Sequence, residues 1–231
     1  GALHGNVPAF LYFCAMKILA FDRLDDLGDD FIERCMSFLP AWRKEQMLKF
    51  KHNRGKIECA TAYLLLYALL HLETGRSNID FSFVYNEHGK PYFDCHLDYY
   101  FSISHCKSTV AVALSDDEIG IDVEEKSRYK ESLARYVCND EELKEISGSD
   151  DESATFIKLW TRKEAVFKLL GTGITHDIKD ILSNNDVHVI TKEFDGIVLS
   201  VASKKEIDDA VETIFVSKER LLSFFGNEDC G

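Results

Sequence analysis

The chain has 231 residues, is 45% hydrophobic and carries a formal net charge of −13. That length supports a full core, as one domain or two small ones, and the acidic balance argues against nucleic acid as a partner. No apolar run is long enough to span a bilayer, so no membrane partner is expected. Seven cysteines, with no Cys-x-x-Cys and no histidines at metal spacing, predict reduced thiols, a cytoplasmic location and no zinc site.

Residues 8–16 are apolar but few, with no basic residues before them; they read as the first strand, running into Lys17, rather than an export signal. The charge is unevenly placed. Residues 41–56 hold six basic residues (Arg43, Lys44, Lys49, Lys51, Arg54, Lys56) and one acidic residue (Glu45), a local +5 that leaves −18 elsewhere. Such a patch serves an anionic client or is a solvated helix face. Residues 57–73 predict a helix apolar nearly all round, stopped by Gly75, which marks a core helix without chemistry. Residues 79–85 alternate as a strand, residues 86–89 turn, and residues 90–93 return. Lys90, at the hairpin exit, is ordinarily a solvated lysine.

Residues 101–104 and 109–114 predict two strands around a turn. His105, in that turn, reads as a capping side chain or a partly buried histidine. In Gly120-Ile-Asp-Val-Glu124 the side chains alternate, so Asp122 and Glu124 share one face, opposite Ile121 and Val123. Two neighbouring carboxylates are unfavourable unless a cation or proton sits between them; the bland alternative is a solvated strand end. Asn139 can cap a helix over residues 140–146, and residues 147–153 form a polar linker.

Residues 156–173 predict the central helix. Phe156, Leu159, Trp160, Val166, Phe167 and Leu170 form its apolar face, and Gly171 supplies a left-handed stop. Glu164 and Lys168 lie four apart on one face, a spacing that by itself is ordinarily a surface ion pair worth about 0.2–0.5 kcal/mol. Residues 186–190, 196–202 and 212–216 are then expected to make a three-stranded antiparallel end. The fold class is α+β, in two halves of helices on a small antiparallel sheet, divided near Asp117 into residues 1–117 and 118–231.

Four motifs occur in order: Gly89-Lys90-Pro91, Ser104-His105, Gly120-Ile-Asp-Val-Glu124, and Trp160-Thr-Arg-Lys-Glu-Ala-Val-Phe-Lys168, with Gly120 and Trp160 forty residues apart. Together they resemble the signature of 4′-phosphopantetheinyl transferases of the Sfp type (holo-[acyl-carrier-protein] synthase-like). The resemblance spans nearly the whole chain in order and spacing. It implies a pseudo-twofold pair of α+β halves with the active site in the cleft between them. It also implies transfer of the 4′-phosphopantetheine arm of coenzyme A to a serine of an apo carrier protein.

By the same resemblance the basic segment meets the 3′-phosphate of coenzyme A, with Arg43 the best positional match. Gln46 stands where the family often has a second basic residue, a place Lys44 or Lys49 could fill. Lys90, Ser104 and His105 are expected to meet coenzyme A phosphates.

The chemistry also stands on its own terms. Transfer from a pyrophosphate needs charge neutralised on its oxygens, and Mg²⁺ (or Mn²⁺), a hard cation that keeps oxygen ligands, is the usual agent. Asp122, Glu124 and Glu164 would suit its cage, with Asp122 also counted among the coenzyme A-binding residues. Lys168, one turn on, would reach the same pyrophosphate, and Glu164 is the candidate general base. A monomer is expected. The rival readings are a Mg²⁺-dependent hydrolase of a nucleotide pyrophosphate and a non-catalytic module that docks carrier proteins.

Overall fold

The computed structural model describes residues 16–76, 79–95, 97–174, 176–183 and 186–223. The expected strand over residues 8–15 lies outside them.

Strand β1 (Met16–Phe21) is buried along its whole length and divides its side chains between two cores. Leu19 and Phe21 face the first core, where the helices lie. Met16, Ile18 and Ala20 face the second. Strand β5 (Val110–Ser115) repeats the division: Val110, Val112 and Leu114 on the helix side, Ala111 and Ala113 on the other. This two-residue alternation is that of a strand buried on both faces. The two alanines keep the second face shallow, so another layer can approach.

The first core is covered by α1 (Asp29–Phe38), α2 (Ala41–Leu48) and α3 (Asn53–Thr74). Helix α3 is the expected all-round apolar helix, with twelve buried residues, and Gly75 ends it at φ +67°. The first sheet runs β4-β5-β1-β9, with β4 at Tyr100–His105 and β9 at Thr213–Phe215. A short hairpin, β2 (Phe83–Tyr85) and β3 (Pro91–Phe93), stands apart from it.

A second sheet, β6-β8-β7, lies against the alanine face of the first. Its strands are β6 (Ile119–Glu125), β7 (His188–Glu193) and β8 (Ile197–Ser203), paired antiparallel with Asp122 opposite Ser200. Ile119, Ile121 and Val123 point into the shared core between the sheets. The other face of β6 carries Gly120, Asp122 and Glu124 toward α6 (Glu152–Leu170). Helices α4 (Glu131–Val137) and α5 (Asp140–Ser147) flank α6, and α7 (Lys218–Ser223) follows β9. The α+β class stands.

Two strand expectations are corrected. Residues 213–215 do not complete the second sheet; β9 returns to the first sheet and pairs parallel with β1, Leu19 opposite Ile214. The third strand of the second sheet is β6 instead. Residues 79–82 are not strand either: Ile79 and Phe81 are buried, but the ladder with β3 covers only residues 83–85.

The caps follow local chemistry. Asn139 and Glu142 form a reciprocal capping box at α5, Asp151 accepts the Ala154 N–H at 2.9 Å at the start of α6, and Gly171 ends α6 at φ +67°.

Candidate active site

Three elements meet where the two sheets adjoin: β4, β6 and the C-terminal half of α6. Gly120 sets how closely they meet. A Cβ there would stand 2.0 Å from the Ala165 carbonyl oxygen and 2.4 Å from the Leu169 nitrogen, so only glycine lets β6 lie directly on the helix backbone. Two residues on, Asp122 is 4% exposed, and its Oδ1 accepts from Lys168 Nζ at 2.7 Å and from Ser104 Oγ at 2.8 Å. Lys168 also donates to Ser104 Oγ at 2.8 Å. Residues 104, 122 and 168 are thus one hydrogen-bonded triangle drawn from β4, β6 and α6.

The edge of β6 explains why a serine stands there. β6 is an outer strand of its sheet, so alternate N–H groups face away from β8. The Val123 N–H goes to Ser104 Oγ at 3.2 Å and the Ile121 N–H to Ser102 Oγ at 3.0 Å. Two hydroxyls on β4 stand in for a neighbouring strand, and buried backbone donors are thereby satisfied.

Glu124 is buried, and its Oε1 accepts the Trp160 indole N–H at 3.2 Å. Glu164 is half-buried and lines a cavity of about 280 Å³ together with Lys168, Phe167, Ser102, Ile103, Lys90 and the glycines of the turns that flank it. The cavity therefore sits between the hairpin, β4 and the end of α6. Lys90 donates to the Leu169 carbonyl at 2.6 Å, and Asn86 donates to the Gly171 carbonyl at 2.8 Å. The hairpin tip so satisfies the carbonyls that the end of α6 leaves unpaired. Burial pushes the Lys90 ammonium below its usual pKa, against the pull of Glu118.

The structure brings Lys90, Glu164 and Lys168 to one cleft, with Asp122 bonded to Lys168, and places the other expected site residues outside the cavity wall. Arg43 does not present its charge to solvent. It is 7% exposed, its guanidinium donates to the Cys59 carbonyl at 2.6 Å and to Gln46 Oε1 at 2.9 Å, and it lies over the rings of Trp42 and Phe83. Gln46 is the neutral partner that this inward arginine uses, and it joins Tyr85 of the hairpin at 3.0 Å. Lys49 and Lys51 remain exposed in the basic segment.

Ser104 does not offer its hydroxyl to the cleft: the residue is 4% exposed and its oxygen is spent within the triangle. His105 is open, its side chain 57% exposed, but it stands at the end of β4 with Nδ1 3.7 Å from Glu58 rather than in the cavity wall.

Asp122 and Glu124 are each drawn to a partner on α6. Asp122, Glu124 and Glu164 do not form a ready cage: among the described residues no three His, Cys, Asp or Glu side chains are placed to share an ion. The reason is that Asp122 is drawn onto Lys168 and Glu124 onto Trp160. The donor chemistry nevertheless fits a hard cation. Asp122 Oδ2 is buried with no hydrogen-bond partner, a state that costs about 1–3 kcal/mol or more and that a divalent ion would relieve.

Sequence reasoning missed Trp160 and Ser102 as partners of the site. Trp160 lay inside a motif already singled out. Ser102 lay two residues before Ser104, on the same face of the same strand, and that periodicity was the available signal.

Residues 118–219 match the model of the 4′-phosphopantetheinyl transferase superfamily. The chain is similar to the 4′-phosphopantetheinyl transferase Sfp of Bacillus subtilis (strain 168), 26% identical over 162 residues, covering 69% of this chain and 72% of that protein. It is 38% identical to the 4′-phosphopantetheinyl transferase AcpT of Salmonella typhimurium over 94 residues, 38% of this chain and 48% of AcpT. It is 24% identical to the L-aminoadipate-semialdehyde dehydrogenase-phosphopantetheinyl transferase of Saccharomyces cerevisiae over 240 residues, 89% of this chain and 88% of the yeast protein.

Proposed function

The chain belongs to the 4′-phosphopantetheinyl transferase superfamily, and from that membership we propose the reaction and the residues that carry it. The enzyme moves the 4′-phosphopantetheine arm of coenzyme A onto a serine hydroxyl of an apo carrier protein. The products are holo carrier protein and adenosine 3′,5′-bisphosphate. The observation that carries the site assignment is the Lys168–Asp122 pair at 2.7 Å, beside the cavity that Glu164 lines.

Coenzyme A lies along the cleft between the hairpin, β4 and α6. Its pyrophosphate meets Lys168 and Lys90 at the cavity and His105 at the end of β4. Its 3′-phosphate falls to the exposed part of the basic segment, where Lys49, with Lys44, replaces the inward Arg43. The carrier serine attacks the phosphorus that bears pantetheine. The new bond from serine Oγ to phosphorus forms as the bond from that phosphorus to the bridging oxygen breaks. Glu164 takes the serine proton as general base. Lys168 has spent donors on Ser104 and Asp122 and keeps a third N–H for the departing oxygen. Mg²⁺, or Mn²⁺ in its place, would be held by Asp122, Glu124 and Glu164 and would neutralise charge on the pyrophosphate.

Among the described residues no helix is long and apolar enough to cross a membrane. We place the enzyme in the cytoplasm, as a monomer. The test is incubation with coenzyme A, MgCl₂ and an apo acyl or peptidyl carrier protein, followed by mass spectrometry. A carrier that gains the phosphopantetheine arm, with one bisphosphate released per arm, supports the reading. Bisphosphate released without carrier modification makes the protein a hydrolase of nucleotide pyrophosphates. Carrier binding with neither product makes it a docking module.

A further inference from the structure

We propose that Asn86 is a positioning residue for coenzyme A binding: it ties the β2–β3 hairpin to the end of α6 and so fixes the spacing of the two walls between which the pyrophosphate lies. The proposal rests on the transferase reading above.

A hairpin of two three-residue strands is marginal by itself, and this one forms a sheet of its own. Its base is held by rings: the Phe83 and Phe101 centroids are 4.8 Å apart, and Phe93 lies 4.5 Å from the same Phe101 ring. Its far end is a polar turn in which Glu87, His88 and Gly89 are exposed.

Asn86 does two things there. Its Oδ1 accepts the His88 N–H at 3.0 Å and the Lys90 N–H at 2.9 Å, which closes the turn around Gly89 at φ +85°. Its Nδ2 donates to the Gly171 carbonyl at 2.8 Å, eighty-five residues away in the chain. One amide thus shapes the turn with its oxygen and anchors it with its nitrogen. A Cβ on Gly171 would stand 3.1 Å from Asn86 Nδ2 and 2.8 Å from Lys90 Cδ. The missing side chain that lets α6 end in the left-handed region therefore also lets the hairpin close on it.

What the anchor controls is the cavity. His88, Gly89 and Lys90 line it from the hairpin, Glu164 and Lys168 from α6. Lys90 and Lys168 are the two cations offered there to the pyrophosphate. Lys90 Nζ also meets the Leu169 carbonyl at 2.6 Å, but that bond uses the group a phosphate needs. The Asn86 bond runs from a neutral side chain to backbone and holds when Lys90 turns to a phosphate. A site already spaced for its ligand binds it more tightly, because less ordering is left to binding.

The test compares Asn86→Ser and Asn86→Ala with the wild-type enzyme. Serine is neutral, and its hydroxyl can still accept from the turn amides, but its side chain is one bond shorter and stops short of Gly171. The readouts are the Kd of coenzyme A by calorimetry without carrier, and kcat at saturating coenzyme A with carrier. Both variants are expected to weaken Kd about threefold to tenfold, the worth of one hydrogen bond, with kcat within about twofold of wild type. A melting temperature that falls while the Asn86→Ser Kd changes less than about threefold would make Asn86 structural only and overturn the proposal. So would a kcat that falls as far as the affinity. If Asn86→Ala alone weakens binding, the turn rather than the anchor is responsible, and the proposal fails. Wild-type protein that binds no coenzyme A overturns the transferase reading and this proposal with it; wild-type binding with an unaffected Asn86→Ser overturns this proposal alone.

Discussion

The Trp160 indole donates to Glu124 Oε1 at 3.2 Å across a buried gap between α6 and β6. The strand motif and the helix motif, forty residues apart in the chain, are therefore joined by a bond between a tryptophan and an acid. A phenylalanine at residue 160 would fill most of the same space without the donor. Hydrogen bonds to a charged group are worth about 1.5–3 kcal/mol. Trp160→Phe is expected to lower stability by an amount in that range and to lower kcat about tenfold. Denaturant unfolding and steady-state kinetics on the same variant check both. Unchanged values would make the indole a packing group alone.

Gly120 is a site residue without a side chain. A methyl group there meets the backbone of α6 at Ala165 and Leu169, and backbone cannot swing aside as a side chain can. Gly120→Ala must push β6 off the helix, and overpacking of this kind costs about 1–3 kcal/mol. The same shift separates Asp122, two residues farther along the strand, from Lys168, the chain neighbour of the clashing Leu169. Activity should therefore fall by more than stability does, with turnover lost at temperatures where circular dichroism still shows a folded protein.

The chemistry-bearing stretches were legible because their signals are local. Alternation over residues 120–124 put Asp122 and Glu124 on one face, and the four-residue spacing put Glu164 and Lys168 on one face of a helix that does end at Gly171. What stayed hidden needs distant partners. Nothing near residues 213–215 tells whether they pair antiparallel with β8 or parallel with β1, since the choice is made some two hundred residues away. Charge at Arg43 was legible, but not its direction. The inward turn depends on the Cys59 carbonyl one helix away and on a ring of Trp42 and Phe83 that forms only on folding. Ser104 was singled out as a phosphate contact. Its saturation by Asp122, Lys168 and Val123 could be seen only once β4 and β6 were side by side.

Lys163, next to Glu164 in the helix motif, is fully buried. Its ammonium is nonetheless complete: it donates to the Ile178 carbonyl at 2.8 Å, the Lys179 carbonyl at 2.8 Å and Glu142 Oε2 at 2.8 Å. Glu142 in turn accepts the Asn139 N–H of the α5 cap. Breaking one side of such a pair strands a buried charge and costs about 3–5 kcal/mol. Lys163→Met is expected to lose that much, and Glu142→Gln somewhat less, because the amide oxygen still accepts. The double variant should lose well under the sum of the two, since the stranded charge is gone. A double-mutant cycle by urea unfolding checks it; simple additivity would mean the pair is not coupled.

The buried thiols set an alkaline limit on stability. Burial pushes the Cys35 thiol up to about 12, with Cys59 adding to the shift, and pushes Cys138 up to about 11, with Glu142 adding, both from 9.0. A group whose folded pKa is raised stabilises fully below its unfolded value and loses that contribution as pH climbs toward the folded one. Above pH 9 the unfolded chain releases these protons while the folded chain keeps them, so unfolding gains with each step of pH. The loss is at most about 1.4 kcal/mol per pH unit for each such thiol. Melting temperature should hold steady for these groups from pH 7 to 9 and then fall steadily to pH 11. Cys35→Ala removes one of the responsible protons, so its melting temperature, lower at neutral pH for lost packing, should decline less steeply over the alkaline range. A variant whose alkaline slope matches that of the wild type would show that Cys35 is not the thiol responsible.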